Sequence, residues 1–191
     1  MNPEDTSGGG VDIKSFLVIT ITCSDRPGIV ERVTDVVVAH GGNWEESRLA
    51  RLGGDFAGIV MVSVPTERAD ELTTALTSLA NDEMTVAVKD TSPVAPDTRT
   101  GHVLCTLRLE GADHEGIVHD VSAYLAKQGI NVEAMETGVV SAPMTATPLF
   151  HMEAQLNVPP SLTIDDLREN LLLIAEQLGV SIDVVPAQEQ P

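Results

Sequence analysis

The chain repeats itself. Asp25-Arg26-Pro27-Gly28-Ile29-Val30 returns as Asp113-His114-Glu115-Gly116-Ile117-Val118, 88 residues further on. The same offset matches Val33 with Val121, Val37 with Leu125, Gly41 with Gly129, Asn43 with Asn131 and Glu45 with Glu133, without a gap. Later the offset grows. Pro65 matches Pro159, so about six residues are inserted in the second copy, and Pro143 and Pro148 place them in a loop around Ser141 to Pro148. Leu72, Leu76 and Leu79 then match Leu167, Leu171 and Ile174. An ordered series of this length requires two modules of one fold rather than a single continuous core.

Each copy has the same order of elements. Leu17, Ile19, Ile21 and Cys23 alternate within an apolar run, as do Cys105, Leu107 and Leu109, which is the period of a strand with one buried face. Ile29, Val30, Val33, Val36 and Val37 recur at helical spacing, and so do Ile117, Val118, Val121, Tyr124 and Leu125. The β-branched residues make these poor helices on propensity alone, so tertiary packing must hold them. Gly41-Gly42 and Gly129 end them. A second strand over 43–52 has imperfect alternation, which suggests an edge or a bulge. A Gly53-Gly54-Asp55 hairpin, a third strand over 56–64, a helix over 66–80 and a strand over 85–89 complete the first copy. The second continues with strands near 132–140, 149–158 and 180–185 and a helix over 163–178. The order βαββαβ, with right-handed crossovers, predicts a four-stranded antiparallel sheet with both helices on one face. The expected fold is therefore α+β, two tandem ferredoxin-like modules. The first spans 13–91 and the second 102–186. They are joined by a linker at 92–101 containing Pro93 and Pro96, between mobile tails at 1–12 and 187–191.

Charge excludes one class of function. The formal net charge is −18, with 11 Lys and Arg against 29 Asp and Glu. Direct binding of nucleic acid calls for clustered cations, so any effect on transcription must pass through another protein. RNA recognition on the sheet is disfavoured too, because only 3% of residues are aromatic. No apolar run is long enough for a membrane span, and the first residues lack a secretory signal, so a cytoplasmic protein is expected. Cys23 and Cys105 fall within apolar strands and read as buried thiols.

The turn between the first strand and first helix is the candidate site. Asp25 can cap free backbone N–H groups, Pro27 fits a first helical turn, and Gly28 admits close approach of a ligand. A helix N-terminus attracts a carboxylate. Asn43, at the start of the second strand, is expected to return to the same end of the sheet. The same residues also serve as a purely structural helix cap, and both readings stand. His114 and His119, with Asp113, Glu115 and Asp120, form a polar cluster that reads chiefly as a solvated helix start rather than a metal site. Trp44 reads as a core or interface anchor, and Glu45-Glu46 as a solvated face. No nucleophile elbow, phosphate loop or dinucleotide motif is present.

The residues Ser24-Asp25-Arg26-Pro27-Gly28-Ile29-Val30, then Gly42-Asn43, then Ser47-Arg48-Leu49-Ala50, resemble an ACT domain. The tandem arrangement and the stretch Glu46-Ser47-Arg48-Leu49-Ala50 resemble the glycine cleavage system transcriptional repressor family. A similar first module precedes the catalytic domain of formyltetrahydrofolate deformylases, but no such catalytic domain is expected here. The resemblance implies a non-enzymatic regulator, without a cofactor, that binds an amino acid at a module interface. Glycine is the first candidate ligand. Asp25, Arg26, Pro27, Gly28, Ile29 and Asn43 would line the first site, and Asp113, Gly116, Ile117 and Asn131 the second. The second copy departs from the motif, with His114-Glu115 in place of Arg26-Pro27, and structural and ligand-binding roles both stay open there. Expected partners are the amino acid, a protein such as a transcription activator, and a second copy of the chain in a homodimer. Nucleic acid and membrane are not expected to bind directly. A ligand-independent protein-interaction module is the alternative.

Overall fold

The computed structural model describes residues 13–92, 100–141 and 148–187. The expected N-terminal tail, most of the linker, the inserted loop and the last four residues lie outside these. The chain divides into two compact units, 1–95 and 96–191.

In the first unit the elements are β1 (Lys14–Ser24), α1 (Ile29–Ala39), β2 (Asn43–Leu52), β3 (Asp55–Pro65), α2 (Ala69–Thr77) and β4 (Met84–Thr91). The sheet order is β2-β3-β1-β4, and all neighbours are antiparallel. The alternation in β1 places Leu17, Ile19, Ile21 and Cys23 in the core, against Ile29, Val33 and Val37 of α1 and Leu72 and Leu76 of α2. Both helices therefore cover one face. The expected helix over 66–80 is shorter than the pattern suggested. It opens with a 3₁₀ turn at Thr66–Arg68, and the α-helical part ends at Thr77.

The second unit repeats this with β5 (Val103–Ala112), α3 (Ile117–Lys127), β6 (Asn131–Ser141), β7 (Pro148–Val158), α4 (Ile164–Leu178) and β8 (Val180–Pro186). Its sheet order, β6-β7-β5-β8, is that of the first unit. Register repeats as well: Cys23 pairs with Phe56, and at the matching position Gly111 pairs with Phe150. Cys105, Leu107 and Leu109 pack against Val121, Leu125, Leu167 and Leu171. Both thiols are free and buried, and burial pushes both up from their ordinary acidity.

The imperfect alternation of the second strand has two causes. β2 and β6 are edge strands, and each carries a bulge. The register skips Glu45 between Trp44 and Glu46, and it skips Glu133 between Val132 and Ala134. The two skipped residues are the two that the repeat aligns. Trp44 is half-buried against the first core, as an anchor should be.

Candidate functional site

Helix α1 begins two residues later than a helix opened by Pro27 would. Its cap is Gly28, in the left-handed region at φ 89°, and Pro27 lies outside the helix rather than in its first turn. The second copy matches, with Gly116 at φ 96° capping α3. Only glycine adopts this conformation cheaply, which is why the repeat keeps it. No side chain caps either helix among the described residues. Asp25 does not act as a cap. Its backbone N–H donates to Gly54 O at 3.0 Å, and its carboxylate pairs with Arg51 Nε at 2.8 Å. The hairpin and the turn are thereby tied together, and the cap is left to backbone. By contrast, Thr163 caps α4 and accepts from Asp166 N at 3.1 Å. The first turns of α1 and α3 thus have no side-chain cap among the described residues, the condition under which helix N–H groups can take an anion, although Glu31 and Asp120 bring a negative charge of their own to these turns.

The residue after the aspartate staples each turn to the chain that leads into the last strand. Arg26 pairs with Glu83 at 2.5 Å, just ahead of β4. His114 occupies the same place in the second copy and reaches the end of α4. Its Nε2 lies 2.8 Å from Leu178 O and its Nδ1 lies 2.9 Å from Glu115 O. Two carbonyl acceptors require two N–H donors, which only the imidazolium has. These bonds raise the His114 pKa, with smaller help from Asp113 and Asp120 against a small opposing effect of burial. His119 turns to Asp120 at 2.7 Å instead, so the histidines do not converge. Among the described residues no group of His, Cys, Asp and Glu is placed to hold a metal.

Asn43 is not at the turn. It pairs with Ser63, which pairs with Phe16, whereas the turn follows Ser24. Eight residues of strand, about 26 Å at the usual rise, separate the two ends. The reason is geometric: α1 runs back along the sheet and delivers the chain to the end where β1 began. Asn131 lies correspondingly far from Gly116, level with Asn157 and Leu104. Ile29 and Ile117 anchor the helix starts in the cores, at 5% and 2% exposure, so they support the turn from beneath.

What surrounds Asn43 is a clamp built on the bulge. Asn43 Nδ2 donates to Glu45 Oε1 at 3.0 Å, and the buried Ser63 hydroxyl donates to the same oxygen at 2.5 Å. The second module repeats it. Asn131 Nδ2 donates to Glu133 Oε1 at 2.9 Å, and Nδ2 of the buried Asn157 donates at 3.1 Å. The Ser63 and Asn43 bonds hold the Glu45 carboxyl below its ordinary range, with Lys14 adding a weaker pull and burial opposing. Glu45 is thus more than part of a solvated face. Sequence reasoning missed Glu45, Ser63, Glu133 and Asn157 as a set. The available signal was Asn-x-Glu occurring at the same place in both copies.

Comparison with known proteins agrees with this architecture. Residues 15–89 match the model of the ACT domain. The chain is 25% identical over 174 residues to the glycine cleavage system transcriptional repressor of Escherichia coli (strain K12), covering 89% of this chain and 90% of that protein. A crystal structure of an unknown protein from Galdieria sulphuraria superposes with a TM-score of 0.81 at 32% identity, over 92% of this chain and all of that one (100%). A second crystal structure, of a protein provisionally assigned as a glycine cleavage system transcriptional repressor, superposes at 0.67 with 23% identity, over 93% of this chain and 99% of that one. At that identity the likeness speaks for the fold.

Proposed function

Because the chain belongs to the ACT-domain family, we propose that it is a non-enzymatic regulator that senses an amino acid, with glycine the first candidate, and passes the signal to a protein partner. The observation that carries the reading is the uncapped helix start at Gly28. It would offer backbone N–H groups to a carboxylate on a turn whose Asp25 and Arg26 pair with Arg51 and Glu83. The relative from Escherichia coli is named for transcriptional repression. With a net charge of −18, this chain would act through a protein, such as a transcription activator, rather than on DNA. Among the described residues no helix is long and apolar enough to cross a membrane. A cytoplasmic setting belongs to this reading.

The 26 Å between turn and Asn43 adds a condition. One module cannot place both on one small ligand. In this reading the ligand is shared between two modules, 13–91 and 102–186 of one chain or copies in a homodimer. Ligand binding would then favour one packing of modules over another, and a partner would read the difference.

Calorimetric titration of the full chain with a panel of amino acids tests this. Binding that is lost in Gly28→Trp supports the reading. Silence across the panel contradicts it and leaves the ligand-independent interaction module.

A further inference from the structure

The open face of the first sheet has a charge pattern with its own symmetry. Across β2, β3, β1 and β4 the register aligns Glu46, Met61, Val18 and Lys89, and one row further along come Arg48, Ile59, Thr20 and Ala87. Leu17, Ile19, Val60 and Val62, beside them in the chain, lie in the core, so these two rows are on the other face. Ile59 is 50% exposed, and Val18 and Met61 are half-buried. The middle of the face is thus apolar and open, and its two edges have opposite charge. Glu46 pairs only at the surface, with Arg48 at 3.0 Å, and Lys89 has no ion pair among the described residues.

A row that reads acid, apolar, apolar, base is self-complementary about a two-fold axis. Let a second copy of the face turn half a revolution about an axis along the strands, midway between β3 and β1. Each row keeps its level and exchanges its ends. Glu46 of each copy then faces Lys89 of the other, Met61 faces Val18, and Ile59 faces Thr20. Stacked sheets lie about 10 Å apart, a gap that facing side chains fill. The second module fails the same operation. At the level of Glu46 and Lys89 it has Ala134 and Val185, and one row on the rotation sets Glu136 against Asp183 at both ends. Charge decides here because two chains of net charge −18 repel, so a second copy is accepted only where the local charges match.

We propose that the open face of 13–91 pairs with the same face of a second copy about this axis, with Glu46–Lys89 pairs at both ends and Met61, Val18 and Ile59 between them. A four-stranded face covers about 500 Å² per copy, less than the roughly 800 Å² of a standard interface, so the dimer is weak. The proposal rests on the homodimer of the reading above and not on its ligand.

Sedimentation equilibrium of the full chain tests it. The wild type is expected to be half dimeric at roughly 10–100 μM. Glu46→Lys and Lys89→Glu each set like charges against one another at both ends and weaken association about tenfold or more. Mixed together, the two variants recover to within about threefold of the wild type, because each supplies the charge that the other lacks. The mixed pair carries the same total charge as two wild-type chains, so general repulsion does not enter. Both positions are exposed, and a surface ion pair contributes little to the fold, so circular dichroism should be unchanged in each variant. A chain that stays monomeric up to about 500 μM overturns the proposal. So does a dimer that either variant leaves intact, or a mixture no tighter than the variants alone. Each of these leaves sensing between the two modules of one chain standing. A chain that dimerises as expected but is silent in calorimetry removes the sensing reading and keeps this one.

Discussion

Two rows of side chains lie at the same level on the open faces of the two sheets and share a backbone position but no chemistry. In the first module Arg48, Ile59, Thr20 and Ala87 are register partners across β2, β3, β1 and β4. In the second the row is Glu136, Glu153, Arg108 and Asp183. Like charges directly opposite on neighbouring strands are unfavourable, and the Arg108–Glu153 pair at 2.9 Å relieves the Glu136–Glu153 contact. On the helix-covered faces the modules agree closely: Leu72 and Leu167 are each 0% exposed, as are Leu17 and Cys105. The bulge clamp agrees too. Duplication has kept what packing and the bulge demand and has let the open faces and turn staples diverge. A site common to both modules therefore belongs to the clamp and the capping glycine. A property that only one module has belongs to the sheet face or to Arg26 and His114.

The strongest way to break this equivalence is through the cores. Leu72→Ala and Leu167→Ala should each destabilise their own module by about 2–5 kcal/mol. Hydrogen exchange on the full chain should show the loss confined to residues of that module, because the chain divides into two units. The clamp comes next. Removing a buried donor to a carboxylate costs about 1–3 kcal/mol, and Asn157→Ala should exceed Ser63→Ala in urea unfolding because Asn157 also holds His102. Below these come the caps. Gly28→Ala and Gly116→Ala should cost about 1–2 kcal/mol each. An added Cβ meets only Glu31 Oε2 at 3.8 Å in the first case and nothing within 4 Å in the second, so backbone strain sets both penalties and they should be equal. The smallest effect is a pH dependence confined to the second module. The His114 pKa is raised in the folded chain, so its contribution is complete below the ordinary imidazole range and is lost as pH rises through the raised value. Exposure keeps it small. It should appear as faster amide exchange around α3 and the start of β8 on the alkaline side, and His114→Gln should abolish it. A matching change in the first module would show that the two staples are not different in kind.

The fold was legible because two independent periods, two residues for strands and 3.6 for helices, were each written twice, at an offset of 88 that grows only after the insertion in the second copy. Gly28 and Gly116 stood out for the same reason. Other features were not legible, because they depend on contacts that local pattern does not encode. Asn43 and Gly28 are 15 residues apart in sequence, yet α1 carries them to opposite ends of the sheet. Ser63 reaches Glu45 across 18 residues only once the bulge is in place. Asp25 looked like a cap because aspartate commonly is one, but Arg51, brought in by the hairpin, claims its carboxylate. The different chemistry of Arg26 and His114 was visible in sequence, but their shared task was not, because their partners Glu83 and Leu178 O have nothing in common except position.

Amide hydrogen exchange on the full chain, with and without a saturating amino acid from the calorimetric panel, tests the sensor account most directly. The account predicts slowed exchange at two separated places in one experiment, the first turn of α1 after Gly28 and the start of β2 at Asn43 to Ser47. Protection confined to the open sheet faces, or no change in either place while the amino acid is demonstrably bound, would contradict it.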